Sequence, residues 1–228
     1  MKKLVVALTF AITLSSCSDE LSRARPYVLT TATTGGKFFS CWCFSLATFT
    51  HAQLYESEGI SLTAISSAGS MENLKLLRDN QVQFAILQGP FGAWSWTGEG
   101  PVSRPQTHIR SVSALWKNVE HFVLLTEITD TKFMMDLDRL DDERYVLGAR
   151  NSGAEQTGKI YFRYPRYRLR RKIQSCLMGY GPTSNAIQDG NIVGMNIPAR
   201  GARECNYPSL CIHGRTHDYI ELDSRLPG

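Results

Sequence analysis

A short apolar stretch, a corner of small hydroxyl or glycine residues, then a helical pattern: this order recurs along the chain and restricts its fold more than any other feature. Residues 27–33 are rich in β-branched side chains and run into Thr34-Gly35-Gly36. Residues 61–66 alternate as a strand and end at Ser67-Ala68-Gly69-Ser70, and residues 145–149 lead into Arg150-Asn151-Ser152-Gly153. Leu46, Phe49 and Leu54 recur at helical spacing within residues 45–58. Leu74 and Leu77 do the same behind Ser70, which reads as an N-cap. Residues 83–88, 111–116 and 121–126 are further strand segments. Strands alternating with helices at this spacing predict an α/β fold with a parallel sheet and right-handed crossovers.

In open α/β sheets such corners collect at the carboxyl ends of the strands, where ligands bind. Unpaired N–H groups at helix starts suit an anionic group such as a carboxylate there. One small-residue corner is explained by tight turning alone; three in register predict a binding cleft. None of them is a P-loop or a G-x-G-x-x-G turn, so neither a nucleotide nor any other cofactor is implied. A net charge of +4 is too small to demand a nucleic-acid partner, and 43% apolar with 20% charged residues is an ordinary globular balance.

The N-terminus carries a different signal. Lys2 and Lys3 precede an apolar run over residues 4–14 and then Ser15-Ser16-Cys17. A basic start, a short apolar centre and small residues before a cut read as a secretory signal over residues 1–16. At ~1.5 Å per residue the apolar run is far shorter than the ~30 Å hydrocarbon core, so it is not a spanning helix. Leu14-Ser15-Ser16-Cys17 has the form of a bacterial lipobox, which makes Cys17 a lipidation site and residues 17–26 a polar tether. The chain is therefore expected outside the cytoplasm, in the periplasm, held to a membrane by lipid.

The corners, in this order, resemble the TAXI family of receptors that serve TRAP-type secondary transporters. The resemblance is carried by Thr33-Thr34-Gly35-Gly36-Lys37-Phe38-Phe39, Ser66-Ser67-Ala68-Gly69-Ser70-Met71-Glu72-Asn73-Leu74, Phe84-Ala85-Ile86-Leu87-Gln88 and Asn151-Ser152-Gly153-Ala154-Glu155. Gly179-Tyr180-Gly181-Pro182 through Asp189-Gly190 extends it. It implies an α/β, two-lobed, type II periplasmic-binding-protein-like fold that closes on a small carboxylate such as glutamate and delivers it to TRAP membrane subunits. It also implies Thr34, Gly35, Gly36, Ser67, Ser70, Met71, Gln88, Ser152 and Gly153 as ligand-binding residues. Lobe 1 would span residues 27–112, and lobe 2 with the hinge strands residues 113–199.

Three windows depart from this pattern: Ser40-Cys41-Trp42-Cys43, residues 163–176, and an aberrant tail over residues 200–228. Each is more regular one base over. Codons for the first permit Pro-Val-Gly-Val. Those for residues 162–176 permit F-D-I-L-G-I-D-Y-E-E-K-F-N-P-V, with apolar residues in helical register. The third permits G-A-P-V-S-A-I-T-Q-A-F-A-S-M-G-E-H-M-T-I-L-N-L-T, a helix and a strand. Synonymous positions can be chosen freely to reach these peptides, but the remaining bases are set by the genetic code. The windows are thus expected to be one-base frame shifts, as mutations or as sequence errors, leaving the C-terminal part of the fold incomplete and closure impaired.

Taken literally, the windows suggest other chemistry. Arg163, Arg166, Arg168, Arg170, Arg171 and Lys172 interleave with aromatics, and the alternative function is a basic surface lipoprotein binding polyanions through residues 163–172. Cys205, Cys211, His213 and His217 are of zinc-ligand type, but Cys-x5-Cys-x-His-x3-His is not a recognised finger spacing, and no metal is predicted. Disulfides among Cys41, Cys43, Cys176, Cys205 and Cys211 would leave one cysteine over. His51, His108 and His121 stand without a nucleophile in a recognisable setting, and the acids from Asp136 to Glu143 read as a solvated turn, so no catalytic residue is assigned. The gene itself tests the frame reading: its codons are expected to spell the three peptides one base over, and any other codons remove the idea.

Overall fold

Strand, corner and helix alternate in the computed structural model, which describes residues 25–33, 42–163, 173–199 and 217–220. The order is β1 (Arg25–Thr30), α1 (Trp42–Glu58), β2 (Ile60–Ile65), α2 (Ser70–Arg78), β3 (Phe84–Ala85), α3 (Gly89–Thr97) and β4 (Val119–Leu125). Two 3-10 turns follow at Thr126–Ile128 and Met134–Arg139. Then come β5 (Arg144–Gly148), α4 (Gly153–Arg163), β6 (Gln174–Leu177), α5 (Tyr180–Gln188), β7 (Gly194–Ala199) and β8 (His217–Ile220).

The strands form two sheets. The first has order β2-β1-β3 and is parallel throughout, with Arg25 opposite Ile60 and Leu29 opposite Phe84. The second has order β6-β5-β7-β4-β8; β5 runs parallel to β6 and β7, while β4 is antiparallel to β7 and β8. The second sheet is therefore mixed, not the purely parallel sheet the alternation suggests. β4 explains how it holds together. Its side chains alternate, so Phe122 and Leu124 enter one buried cluster with Leu137, Tyr145 and Leu147. Val123 and Leu125 enter another on the opposite face with Val146, Ile187, Met195 and Ile197.

Several expectations are corrected. Residues 111–116 are not a strand: they join neither sheet and Val112 is 83% exposed, because a short alternating run gains nothing without an edge to pair with. Ser70 is not the N-cap of α2. Gly69 holds that position at φ 127° and ψ −155°, a conformation that disfavours any side chain, and Ser70 is the first helical residue. Helix α3 has no amphipathic pattern to announce it; a proline in its first turn and Gly98 in the left-handed conformation at its end are its only local signals. Strand β8 falls within the tail that the sequence leaves without periodicity.

The first sheet is less well covered. α2 and α3 pack Leu74 and Phe91 with Val102 on one side. α1 turns the small Cys43 and Ala47 inward and leaves Phe44, Leu46 and Phe49 at 62%, 51% and 65% exposure. The apolar spacing seen in residues 45–58 thus lies on the outward face of α1.

What binds the tips of this sheet together is Asn73, which is fully buried. Its Oδ1 accepts from the Thr30 hydroxyl at 2.8 Å and the Ser67 hydroxyl at 2.6 Å. Its Nδ2 donates to Thr31 O at 2.7 Å and Ile86 O at 2.8 Å. One amide thereby joins α2 to the chain leaving β1, β2 and β3. Asn73→Ala removes all four bonds at once and leaves the Thr30 hydroxyl and Ile86 O without them, and is expected to cost about 3 kcal/mol in chemical denaturation. A loss below ~1 kcal/mol would show that the strand tips hold without it.

Candidate functional site

The corners that follow β2 and β5 start α2 and α4, and the two helices are built by the same device. Three residues inside α2, Glu72 turns back to accept the Ala68 N–H at 2.6 Å; in α4, Glu155 accepts the Asn151 N–H at 2.6 Å. The Ser152 hydroxyl completes the second start by accepting the Glu155 N–H at 3.0 Å. Lys159 pairs with Glu155 at 2.6 Å and holds it in place.

The two starts then meet. A side-chain carbon built at Gly69 would lie 3.4 Å from both Gly153 N and Ser152 Cα. The Glu72 N–H donates to Asn151 O at 3.1 Å, and Lys75 Nζ reaches Asn151 Oδ1 at 3.4 Å. Helices leave their first N–H groups without internal acceptors. Those of Glu72 and Glu155 are used, which leaves Ser70, Met71, Gly153 and Ala154 to supply the positive ends of two helix dipoles at one place.

Between these ends and the tips of β1 and β3 is a recess of ≈ 540 Å3 counted with its open mouth. Ser70, Gln88, Ser152 and Gly153, all singled out in the sequence, line it together. Ser70 acts structurally as well: its hydroxyl accepts the Gln88 N–H at 3.0 Å and so sets where β3 ends. Ser67 is close, but its hydroxyl is committed to Asn73 and to Thr31 O. The Met71 side chain points away from the recess and packs with Leu74, Phe91 and Val102. Thr34, Gly35, Gly36 and Cys17 lie outside the described residues, as do Cys41, Cys205, Cys211, His213 and the arginine run beyond Arg163.

The sequence did not single out Glu120. Gln88 Nε2 donates to Glu120 Oε1 at 3.2 Å, across from the first sheet to the second. Burial pushes the Glu120 carboxyl up to about 7, with Thr157, Asn196 and Gln88 facing it and favouring the charged form only partly. An acid at the head of the apolar run from Val119 to Leu125 was the available signal. Gln88 itself is only 8% exposed, and it presses against Gly153 so closely that a side chain there would collide with its amide.

Two α/β units meeting at opposed helix starts define a solute-binding-protein-like architecture. The chain belongs to the NMT1-like family, which it matches over residues 29–204. No curated protein matches it. Among solved structures it is similar to the binding-protein component of an ABC phosphonate transporter from Pseudomonas aeruginosa, at TM-score 0.57 and 8% identity over 87% of this chain and 65% of that one. It is also similar to a protein described as an L-cystine ABC transporter from Listeria monocytogenes, at TM-score 0.52 and 12% identity over 86% and 77%. The reduced regulatory domain of OxyR2 from Vibrio vulnificus matches at TM-score 0.51 and 12% identity over 88% and 81%. These likenesses show the fold, which is type II periplasmic-binding-protein-like. The chain spans about two thirds of the length of the phosphonate component.

Glu120 makes folding stability depend on pH. Its folded value of about 7 lies above the ordinary 4.5. Below ~4.5 both states hold the proton and nothing is lost; as pH rises to ~7 the unfolded chain ionises first and stability falls; above ~7 the penalty is constant, at about 3 kcal/mol. Glu120→Gln is expected to flatten this decline in urea denaturation between pH 4.5 and 7. An unchanged slope would show that Glu120 ionises freely in the folded protein.

Proposed function

We propose that this protein is an extracytoplasmic solute-binding receptor that closes on a small carboxylate of the glutamate type and passes it to the membrane subunits of a TRAP-type transporter. The observation that carries the proposal is the meeting of two helix starts, Gly69-Ser70 and Ser152-Gly153, at the wall of one recess. Two sets of N–H groups and two dipole ends aimed at one volume favour a carboxylate by chemistry alone. Closure around it excludes water and strengthens those bonds. Two solved structures of similar fold come from ABC transport systems, by their own descriptions. The TRAP assignment rests on the resemblance of the corner motifs to TAXI receptors. The basic start, apolar run and Cys17 support an exported, lipid-anchored protein.

Binding rather than catalysis fits the groups at hand. The recess offers hydroxyls, amides and backbone N–H groups, and among the described residues it pairs no nucleophile with a base. Ser70, Gln88 and Gly153 lie outside the three irregular windows, so saturable binding by the chain as it stands would overturn the expectation that those windows impair closure.

L-Glutamate is expected to bind saturably in calorimetry and to raise the melting temperature. Gly153→Ala puts a methyl group where Gln88 Oε1 now lies, and is expected to weaken binding by about tenfold or more. A cooperative melt that no small acid shifts would overturn the receptor assignment.

A further inference from the structure

Buried hydrogen-bond acceptors without partners gather at and behind Gln88, which lines the recess. Gln88 Oε1, Glu120 Oε2 and Asn196 Oδ1 are buried with no partner. The Gln88–Glu120 bond sets those two side chains head to head, and Asn196 faces the same carboxylate. Of the neighbouring donors, one Asn196 N–H and the Thr157 hydroxyl serve backbone carbonyls, while the second Asn196 N–H faces Glu120 and leaves Gln88 Oε1 unserved. Asn196 Nδ2 donates to Ala154 O at 2.9 Å, and the Thr157 hydroxyl donates to Gly153 O at 2.9 Å. Turning either amide over gives no relief, because it breaks an existing bond and aims an oxygen at an acceptor.

Charge is unbalanced at the same place. Among the described residues no lysine or arginine pairs with Glu120. The other titratable group facing it is the Tyr145 phenol on β5, which burial keeps neutral. His121, the next residue on β4, stacks edge-on with Tyr219 at 5.5 Å. Glu120 lies directly behind the recess wall: Gln88, its partner, and Pro198, opposite it on β7, both line the cavity.

Buried acceptors without donors are costly, and a charged one more so. The recess therefore has a polarity, with N–H donors at the two helix starts and, at the opposite wall, Gln88 Oε1 backed by the Glu120 carboxyl. An α-amino acid has the same polarity. We propose that Glu120 and Gln88 Oε1 form an ammonium subsite, so that the ligand is an α-amino acid and not a simple carboxylic or dicarboxylic acid. This rests on the receptor function proposed above. The raised value of Glu120 fits such a role, since an ammonium beside the carboxylate holds it ionised and binding then releases a proton below neutrality.

Calorimetry with paired ligands tests this on the full chain: L-glutamate against glutarate, and L-leucine against 4-methylpentanoate, which differ only in the amino group. The amino acid of a binding pair is expected to bind at least about tenfold tighter than its partner, as a charge-assisted contact gives. Glu120→Gln is expected to erase that preference while leaving the acid without an amino group within a few-fold of its original affinity. Amino-acid affinity is expected to fall from pH 8 to pH 6, and the binding heat to vary with the ionisation enthalpy of the buffer. Equal affinities within a pair, or a preference that survives Glu120→Gln, would overturn the subsite and leave the receptor standing. Failure of all four compounds to bind a cooperatively folded chain would overturn the receptor, and the subsite with it. Should Glu120→Gln fail to fold, the paired affinities and the buffer dependence of the unaltered protein decide the question.

Discussion

Four hydrogen bonds converge on the side chain of Asn73, and the placement of the strand ends in the first unit depends on them. The first sheet is small: β3 pairs over only two residues, and among the described residues the sheet has three strands. A sheet of this size has little apolar burial with which to fix the positions of its strand ends. Asn73 supplies the missing constraint by polar means. It holds Thr30, Thr31, Ser67 and Ile86 to one rigid amide whose geometry admits little adjustment. Because Asn73 lies in the first turn of α2, fixing it also fixes the start of that helix, and with it Gly69 and Ser70.

The polarity of the recess comes from how helix starts are completed. A start whose N–H groups were all capped by its own side chains would have nothing to offer a ligand. Here Glu72 and Glu155 reach back past the caps to the Ala68 and Asn151 N–H groups, stabilising each turn from outside the recess. The carboxylates also favour the helix dipoles, yet their oxygens are occupied by these N–H groups. Gly69 then lies against Ser152 and Gly153 and brings two such ends together, in a backbone conformation at φ 127° that disfavours any side chain. Shape and charge at the recess thus have one origin.

Much of this was legible in the sequence, because strand-corner-helix order is a local property. β2, α2, β5 and α4 fall where periodicity and small-residue corners place them, whereas β1 begins at Arg25, inside the stretch read as a tether, and ends at Thr30 instead of Thr33. Ser70, Gln88, Ser152 and Gly153 share a recess because parallel strands end on the same side. What was hidden is what depends on partners. Residues 111–116 alternate as a strand would, but pairing decides, and neither sheet takes them in. Met71 sits in the right motif, yet the helix turns its side chain into the Leu74 cluster. Nothing local marks Glu120, whose place beside Gln88, 32 residues earlier in the chain, depends on how the two sheets come together.

The two units meet the recess with unequal support. The second has a sheet buried on both faces, with β4 feeding Phe122 and Leu124 to one side and Val123 and Leu125 to the other. The first rests on the Asn73 bonds and the Leu74–Phe91–Val102 cluster, while Phe44 and Phe49 of α1 face water. Exposed aromatic side chains at adjacent turns of one helix add no apolar burial to the unit that carries them. A ligand touching both units therefore adds most to the weaker one, since contacts made by Ser70 and Gln88 bind the first sheet to a scaffold already held by its own core. In a chain like this one, recognition of the ligand and stability of the first unit are two readings of the same contacts.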